Sequence, residues 1–442
     1  MPDPFSWDAV YGRIVSDGDL PGLDKKATIA ARRIERDILA SQCSIGDVFS
    51  DRAGMNRSYD LGKSTLLEAV RILEERGVAR MRRGPGGGLV VTAMAEAPAV
   101  AAATEFLLRS QITPAHLHEA RLVIGVAAEF VQAAGAGTSA RAHFSQSFRH
   151  KLQAGNAANL LPGSNLAQGD RLRRTSPHRV IRLFSAMIDD LELRMAQGAQ
   201  PIRNVSDMHR ARLGPAAQSK ASLAEHMRVL IEADIERRAG AGVYKLGTES
   251  DLCERFNVCR PVMRQAIRVL ERHGAIESRR GRSNGIVVSK PKSTAIVERL
   301  VGYLSSWRVG GRDFEHALEI LGRVLRSAVS RRASGSQRTE LLTLTGRPSA
   351  NLAAGTFTAR MSLDWDIIDN PILSLMERTL TAHFIRLISV SKPVYAPWSE
   401  EAIRQERERL IAMAWQDVIR ADQIFEDIYS RTRSGSGEAG SA

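Results

Sequence analysis

The sequence predicts a mainly α-helical fold with two small β-hairpins, arranged as a tandem duplication. Three observations predict it. Aromatic residues make up only 5% of the 442 residues, which favours helices rich in Ala, Leu and Arg over a large sheet. Residues 64–91 align without a gap with residues 261–288, at a constant offset of 197 (for example 266 − 69). In both segments a helical pattern is followed by a Gly and two short alternating runs.

The first part of each half contains three helices and a hairpin. Apolar residues three or four apart predict a first helix over about 27–40 and again over about 222–238. Thr248 is a good N-cap for a second helix. The third helix is predicted over about 260–273, where Gly274 ends it and two strands follow around a Gly-containing turn. The order is helix, helix, helix, hairpin.

The second part of each half is predicted to be helical. Thr113 and Pro114 form a good N-cap and first-turn pair for a helix that ends at Gly135, and residues 314–332 repeat it. Further helices are expected at about 176–196, 370–391 and 400–431, and loops at about 153–175, 197–221 and 333–356. These predictions divide the chain into hairpin-containing units at 24–93 and 213–290, helical parts at 94–212 (truncated) and 291–433, and a flexible tail at 434–442.

The outward face of the third helix carries positive charge. Arg260, Arg264 and Arg268 recur every four residues and so form a stripe opposite the apolar face. Such a helix fits the major groove of B-DNA, where Arg binds guanine or phosphate. The run 279–282, Arg-Arg-Gly-Arg, lies at the hairpin tip, where it can reach phosphate or the minor groove. The alternative is that the stripe is only a solvated helix face.

Both copies resemble the winged helix-turn-helix of GntR-family bacterial transcription regulators. The family pattern is V-S-R-x-x-x-R-x-A-h-x-x-L-x-x-x-G followed by a basic-Gly wing, and this chain supplies GTESDL at 247–252 and NVCRPVMRQAIRVLERHGAIESRRG at 257–281. The resemblance implies DNA contacts by Arg260, Arg264, Arg280 and Gly281, with Arg279 beside them. Cys259 stands where a Ser or Thr that reaches phosphate is common.

The first copy departs further from the family pattern. Lys63 replaces the first Arg, which keeps the charge but loses the planar fork, and Leu67 replaces the second. Leu67 either touches a thymine methyl group or has no role. The predicted DNA contacts are Lys63, Ser64 and the wing residues Arg82, Arg83 and Gly84. The alternative is a decayed copy that is kept for packing.

The helical parts resemble the effector-binding and dimerising domain of the FadR-like (FCD) subfamily, in degenerate form. Residues 369–380 and 406–428 carry the match in the second half. Many members hold a divalent metal with an Asp and three His, and these positions fall on Phe357, Met361, Glu408 and Ile428. Phe, Met and Ile cannot provide such ligands. His150, His178 and His383 have no helical partner at i+4, so no metal is expected.

Other classes of protein are disfavoured. The net charge of +13 (62 − 49) suits a polyanionic partner. No apolar run reaches the length of a membrane span, and Cys43, Cys253 and Cys259 have no C-x-x-C spacing. The run 61–64, Leu-Gly-Lys-Ser, resembles the end of a P-loop, but Arg57 occupies the place of its first Gly. We find no complete catalytic motif and predict that the protein is not an enzyme.

The sequence therefore predicts a DNA-binding transcription regulator. One chain would present two winged helices as a pseudo-dimer to an asymmetric operator, and the resemblance implies repression. The alternatives are an architectural DNA-binding protein of low sequence specificity and a protein-interaction scaffold. Double-stranded DNA is the expected partner, while a homodimer through the helical parts and a small-molecule effector stay open. We expect a cytoplasmic protein on the bacterial nucleoid, without membrane contact, cofactor or metal.

Overall fold

The chain folds into two compact units, seen here in a computed structural model. One unit comprises Met1–Asp190 and Val297–Ala442, and the other comprises Leu191–Ile296. The fold is mainly α-helical with small antiparallel strands, so the predicted fold class is confirmed. The structure describes residues 11–12, 14–15, 26–41, 43–84, 86–110, 112–156, 159, 161–197, 227, 230–231, 234–235, 245–272, 276–279, 285–288, 293–345, 357–390 and 400–437.

Residues 26–91 of the first unit form a three-helix arrangement and a small sheet, which we call winged helix 1. Its elements are α1 (Lys26–Ala40), β1 (Val48–Ser50), α2 (Arg52–Tyr59), α3 (Lys63–Glu75), β2 (Ala79–Arg82) and β3 (Gly88–Val91). The sheet has the order β1-β3-β2 and is antiparallel. Ile34, Met55 and Leu73 are buried where the three helices meet. Burial of this apolar face drives the local fold.

Five further helices lie between residues 96 and 196, within the described part of the first half. They are α4 (Glu96–Arg109), α5 (Pro114–Gly135), α6 (Thr138–Ala154), α7 (Leu166–Thr175) and α8 (Arg179–Ala196). The predicted start and end of α5 are confirmed, and the Thr113 side chain accepts a hydrogen bond from His116 N at 3.2 Å. The predicted loop over 153–175 is wrong over Leu166–Thr175, because Asn165 caps α7 and Gly169 lets α7 pack against α5. Residues 198–221 lie outside the described residues.

Winged helix 2 belongs to the second unit and repeats the same order. Described residues between 227 and 235 are helical, and then come β4 (Lys245–Gly247), α9 (Glu249–Phe256), α10 (Arg260–Arg272), β5 (Ile276–Arg279) and β6 (Gly285–Val288). The predicted cap is confirmed: Thr248 accepts from Asp251 N at 3.2 Å, and Asp251 accepts from Thr248 N at 2.7 Å. The strand β4, which pairs with β6, was not predicted, because three residues carry too little alternation.

Among the residues described after 293, seven helices form. They are α11 (Thr294–Ser306), α12 (Gly311–Arg332), α13 (Gly335–Thr345), α14 (Phe357–Ile368), α15 (Pro371–Val390), α16 (Glu400–Ala414) and α17 (Val418–Gly437). The predicted loop over 333–356 is wrong where α13 forms. The single helix predicted over 400–431 is also wrong, because Gln416 adopts φ +60 and separates α16 from α17. The backbone is helical to Gly437, beyond the expected start of the tail at 434.

Two glycines lie at close helix contacts within the described part of the first unit. A Cβ on Gly125 of α5 would lie 3.0 Å from the Cα of Gly169, and one on Gly322 of α12 would lie 2.6 Å from the Phe425 ring. A side chain at either position would therefore displace its neighbour. The helices α5 and α12 begin 197 residues apart (311 − 114), as do α3 and α10 (260 − 63).

No helix within the described ranges is both long enough and apolar enough to cross a membrane.

Candidate nucleic-acid interface

The stripe predicted on α10 faces outward. Arg260, Arg264 and Arg268 are exposed, whereas Met263 and Leu270 on the opposite side are fully buried in the core of winged helix 2. The four-residue spacing of the arginines places them on successive turns of one face. The core packing therefore fixes which side of α10 can reach a ligand.

The arginines of α10 are held by the preceding helix. The Arg264 guanidinium donates through Nε to both carboxylate oxygens of Glu249, at 2.9 and 3.0 Å. Arg260 Nη2 donates to Ser250 Oγ at 3.3 Å. Because the side chains of Arg264 and Glu249 are 60% and 32% exposed, solvent screens the pair and leaves it exchangeable. Sequence reasoning missed Glu249, although its place in the first turn of a capped helix is where acidic residues favour the helix dipole.

Cys259 immediately precedes α10. Its thiol is free and the residue is exposed, while its carbonyl accepts from Met263 N at 3.1 Å and so begins the helix. Cys43 and Cys253 are also free. A thiol is a weaker hydrogen-bond donor than the Ser or Thr hydroxyl expected here from the resemblance.

The second wing is described only in its strands. Arg279 is the last residue of β5 and pairs with Gly285 of β6. The predicted contacts Arg280 and Gly281 lie outside the described residues.

On winged helix 1, the predicted residues share the outward face of α3. Lys63 and Ser64 are its first two residues and are exposed, as is Leu67 one turn further on. Leu66 and Ala69 point into the core. The face corresponds to that of α10, but it offers one ammonium, one hydroxyl and one apolar side chain in place of two guanidinium groups.

The first wing carries two exposed arginines on a tight turn. Arg82 pairs with Gly88 in the sheet and donates through Nη2 to the Gly86 carbonyl at 2.8 Å. Arg83 and Gly84 are exposed at the tip, where Gly84 has φ +99, a conformation that other residues rarely adopt. The structure thus brings the predicted wing residues Arg82, Arg83 and Gly84 together.

The run 61–64 that resembles a P-loop is the start of α3. The element before it is the helix α2, not the strand that precedes a P-loop. Lys63 therefore stands at a helix N-terminus beside a helix–turn–helix corner.

The positions that correspond to the metal ligands of the FCD subfamily, where no metal is expected, hold other side chains. Met361 of α14 is buried, and its Sδ accepts from Arg360 Nη2 at 3.0 Å and from Arg326 Nη2 at 3.8 Å. Asp364 and Glu377 neutralise Arg326, at 3.0 and 2.6 Å. Two cations beside a thioether do not fit a divalent ion. Among the described residues, no group of three His, Cys, Asp or Glu side chains could hold a metal.

The candidate histidines are separate from one another. His383 is buried, with Nε2 2.6 Å from the Val309 carbonyl oxygen, and burial lowers its pKa to about 4. His178 is buried beside the start of α8, and His150 is exposed on α6. His383 is thus a neutral core residue with a hydrogen-bond partner.

The fold and its exposed basic faces define a protein with two winged helices joined to a body of helices. No protein-family model matches the chain, and no curated protein matches it. Among solved structures, the chain is similar to "Streptococcus agalactiae GntR", with 21% sequence identity and a TM-score of 0.28. That similarity covers 48% of this chain and 99% of the other.

Proposed function

We propose that the protein binds double-stranded DNA and regulates transcription in a sequence-specific manner. The observation that carries this proposal is a basic outward helix face beside a hairpin wing, which occurs in both winged helices. α10 presents Arg260 and Arg264, and α3 presents Lys63 beside the wing residues Arg82 and Arg83. A helix in the major groove with a basic wing on the backbone is an established mode of DNA reading.

The two faces favour different bases. An Arg reads guanine through two parallel hydrogen bonds to O6 and N7, so Arg264 is suited to a G·C pair. Lys63 offers a point charge without the planar fork, and Leu67 offers apolar contact to a thymine methyl group. We therefore infer an operator with two unequal half-sites, which one chain reads as an intramolecular pseudo-dimer. A protein seated on such a site near a promoter would act as a repressor.

An architectural role with little sequence preference is the second candidate. It is favoured by the net charge of +13 and by the arginines at the first wing tip, which suit phosphate contacts. Such binding would weaken steeply with salt and show no preferred sequence. A scaffold that uses the winged helices for protein contacts predicts instead that removal of Arg260 and Arg264 leaves function intact.

Selection of bound duplexes from a random pool at about 0.15 M salt tests the proposal. We expect a two-part asymmetric motif for the unmodified protein. Lys63→Ala should degrade one half of the motif, and Arg264→Ala should degrade the other, with a loss of about 1–3 kcal/mol at one base. Arg174→Ala, which removes an exposed arginine of α7 and so of neither winged helix, is the matched control. Absence of any enriched motif would exclude sequence-specific regulation.

A further inference from the structure

The helix α16 exposes a stripe of four side chains, two of them charged and two apolar. Arg404, Glu408, Ile411 and Trp415 are spaced by four, three and four residues, which places them on one face of a helix. Their side chains are 64%, 43%, 41% and 74% exposed. Trp415 is the most exposed large hydrophobic residue in the described part of the chain. An exposed Trp beside an exposed Ile commonly marks an association surface.

The stripe is held in place by the opposite face of the helix. Leu410 and Met413 are fully buried and anchor α16 in the helical body. Trp415 follows the last residue of α16, but its N–H still donates to the Ile411 carbonyl at 3.0 Å, so the helical geometry reaches it. Gln416, with φ +60, then turns the chain into α17. Trp415 therefore stands at the rim of a rigid surface.

The stripe is complementary to itself in the antiparallel direction. The outer positions and the inner positions have the same sum (404 + 415 = 408 + 411 = 819). A two-fold axis through the helix midpoint would therefore bring Arg404 of one copy opposite Trp415 of the other, twice. Glu408, which lies 3.9 Å from Arg404 and 3.7 Å from Arg420 of its own chain, would face Ile411 in the same way, so the attraction comes from the outer pairs. A guanidinium over an indole ring is the strongest common cation–π pairing in proteins, and a two-fold interface requires this self-complementarity.

We propose that α16 is a self-association surface through which two copies of this chain pack antiparallel. The partner is a second copy because the cation and the aromatic ring that it must supply lie on the same stripe. A contact made by one helix of each copy falls below the roughly 1,200 Å² of a standard stable interface. The dimer should therefore be weak and depend on concentration. The surface does not depend on the DNA-binding proposal, although a dimer would carry four winged helices.

Sedimentation equilibrium of the full chain, between about 1 μM and about 200 μM, tests the surface without DNA. We expect the unmodified protein to change from monomer to dimer over this range. Trp415→Arg should raise the dissociation constant by about tenfold or more, because it sets two guanidinium groups against each other. The control is Ile29→Ser, which removes an exposed Ile of α1 and should leave the dissociation constant unchanged.

A reciprocal exchange tests the antiparallel register. The double variant Arg404→Trp/Trp415→Arg again places an arginine opposite a tryptophan across the two-fold axis, so it should recover most of the lost affinity. In a parallel pairing each position would face its own copy, and the exchange would restore nothing. A monomer at every concentration, or a dimer that Trp415→Arg does not weaken, would overturn the proposal. Unchanged circular dichroism spectra of the variants check that each still folds.

Discussion

A buried ion cluster attaches winged helix 1 to the helices of the same unit. Arg76, at the end of α3, donates to Glu35 of α1 at 3.0 Å and to Glu298 of α11 at 2.5 Å. Arg32 of α1 also donates to Glu298, at 2.6 Å. The Glu298 side chain is only 12% exposed, so solvent screens these contacts little. One carboxylate thus joins the first and third helices of winged helix 1 to α11.

Replacement of Glu298 by Gln keeps the shape of the side chain and removes its charge. Arg76 would keep the carboxylate of Glu35, which also pairs with Arg386 at 2.5 Å, whereas Arg32 would face an amide oxygen in place of the Glu298 carboxylate. Loss of one partner of a buried ion pair costs about 3–5 kcal/mol. Because Glu35 and the amide oxygen of the new Gln retain part of the interaction, we expect the free energy of unfolding to fall by about 3 kcal/mol. Urea denaturation at neutral pH measures the loss.

The pH dependence of the same variant gives an independent check. Burial opposes the charge on Glu298, but the arginines outweigh it and lower the pKa of this carboxyl below its ordinary value of 4.5. The stabilising contribution is therefore present above pH 4.5 and is lost as the pH falls through the lower pKa of the folded state. The difference between the unmodified protein and Glu298→Gln should shrink in acid. Glu105→Gln, which breaks the more exposed pair with Arg109, should cost under about 1 kcal/mol. An equally small loss for Glu298→Gln would refute the reasoning.

Two further predictions concern the helical body. Gly322→Ala should lower the free energy of unfolding by about 1–2 kcal/mol, because the new methyl group meets the Phe425 ring. The control Gly135→Ala, where a new Cβ would have no atom within 4 Å, should cause no loss. Equal effects of the two variants in urea unfolding would contradict the packing argument. Burial raises the pKa of Glu319 to about 7 and lowers that of His383 to about 4. The contribution of Glu319 to stability is therefore lost as the pH rises from 4.5 to 7, and that of His383 is lost as the pH falls from 6.5 to 4. Between pH 4.5 and 6.5 the two effects on the free energy of unfolding oppose each other. In Glu319→Gln only the effect of His383 remains, so the free energy of unfolding should fall by up to about 3 kcal/mol on acidification, and in His383→Gln it should rise by a comparable amount. Parallel pH–stability curves for all three proteins would show that neither group titrates as described.

The helices and strands that the sequence predicted correctly are those whose own residues carry a cap, a turn or a periodic apolar face. α5 has its cap and its Pro at the first turn, and α10 has a complete apolar face opposite an arginine stripe. The helices α7 and α13 were not predicted, because polar residues and glycine dominate their sequences and packing against other helices stabilises them. The break between α16 and α17 contains neither Gly nor Pro, since Gln416 takes the left-handed conformation.

The site follows the same division. The outward arginines of α10 follow from helical periodicity, and the wing follows from its basic residues and glycine. The partner of Arg264 could not be found in this way, because Glu249 lies 15 residues earlier on a different helix. The cluster around Glu298 joins residues 222 and 266 positions apart. Periodicity within one element carries no information about such contacts.

The ion pair between Arg264 and Glu249 bears on how selective each winged helix can be. A free Arg side chain loses up to about 2 kcal/mol of conformational entropy when it is ordered, and a guanidinium already restrained by a carboxylate has less of this freedom left to lose. In the proposed complex with DNA, a base would also have to offer Arg264 better acceptors than Glu249 does, so a base without them would be bound less well. Winged helix 1 has Arg52 and Leu67 at the corresponding positions, 197 residues earlier (249 − 52 and 264 − 67). These two residues do not form a carboxylate–guanidinium pair, so in the proposed complex with DNA this form of discrimination between sequences would belong to winged helix 2 alone.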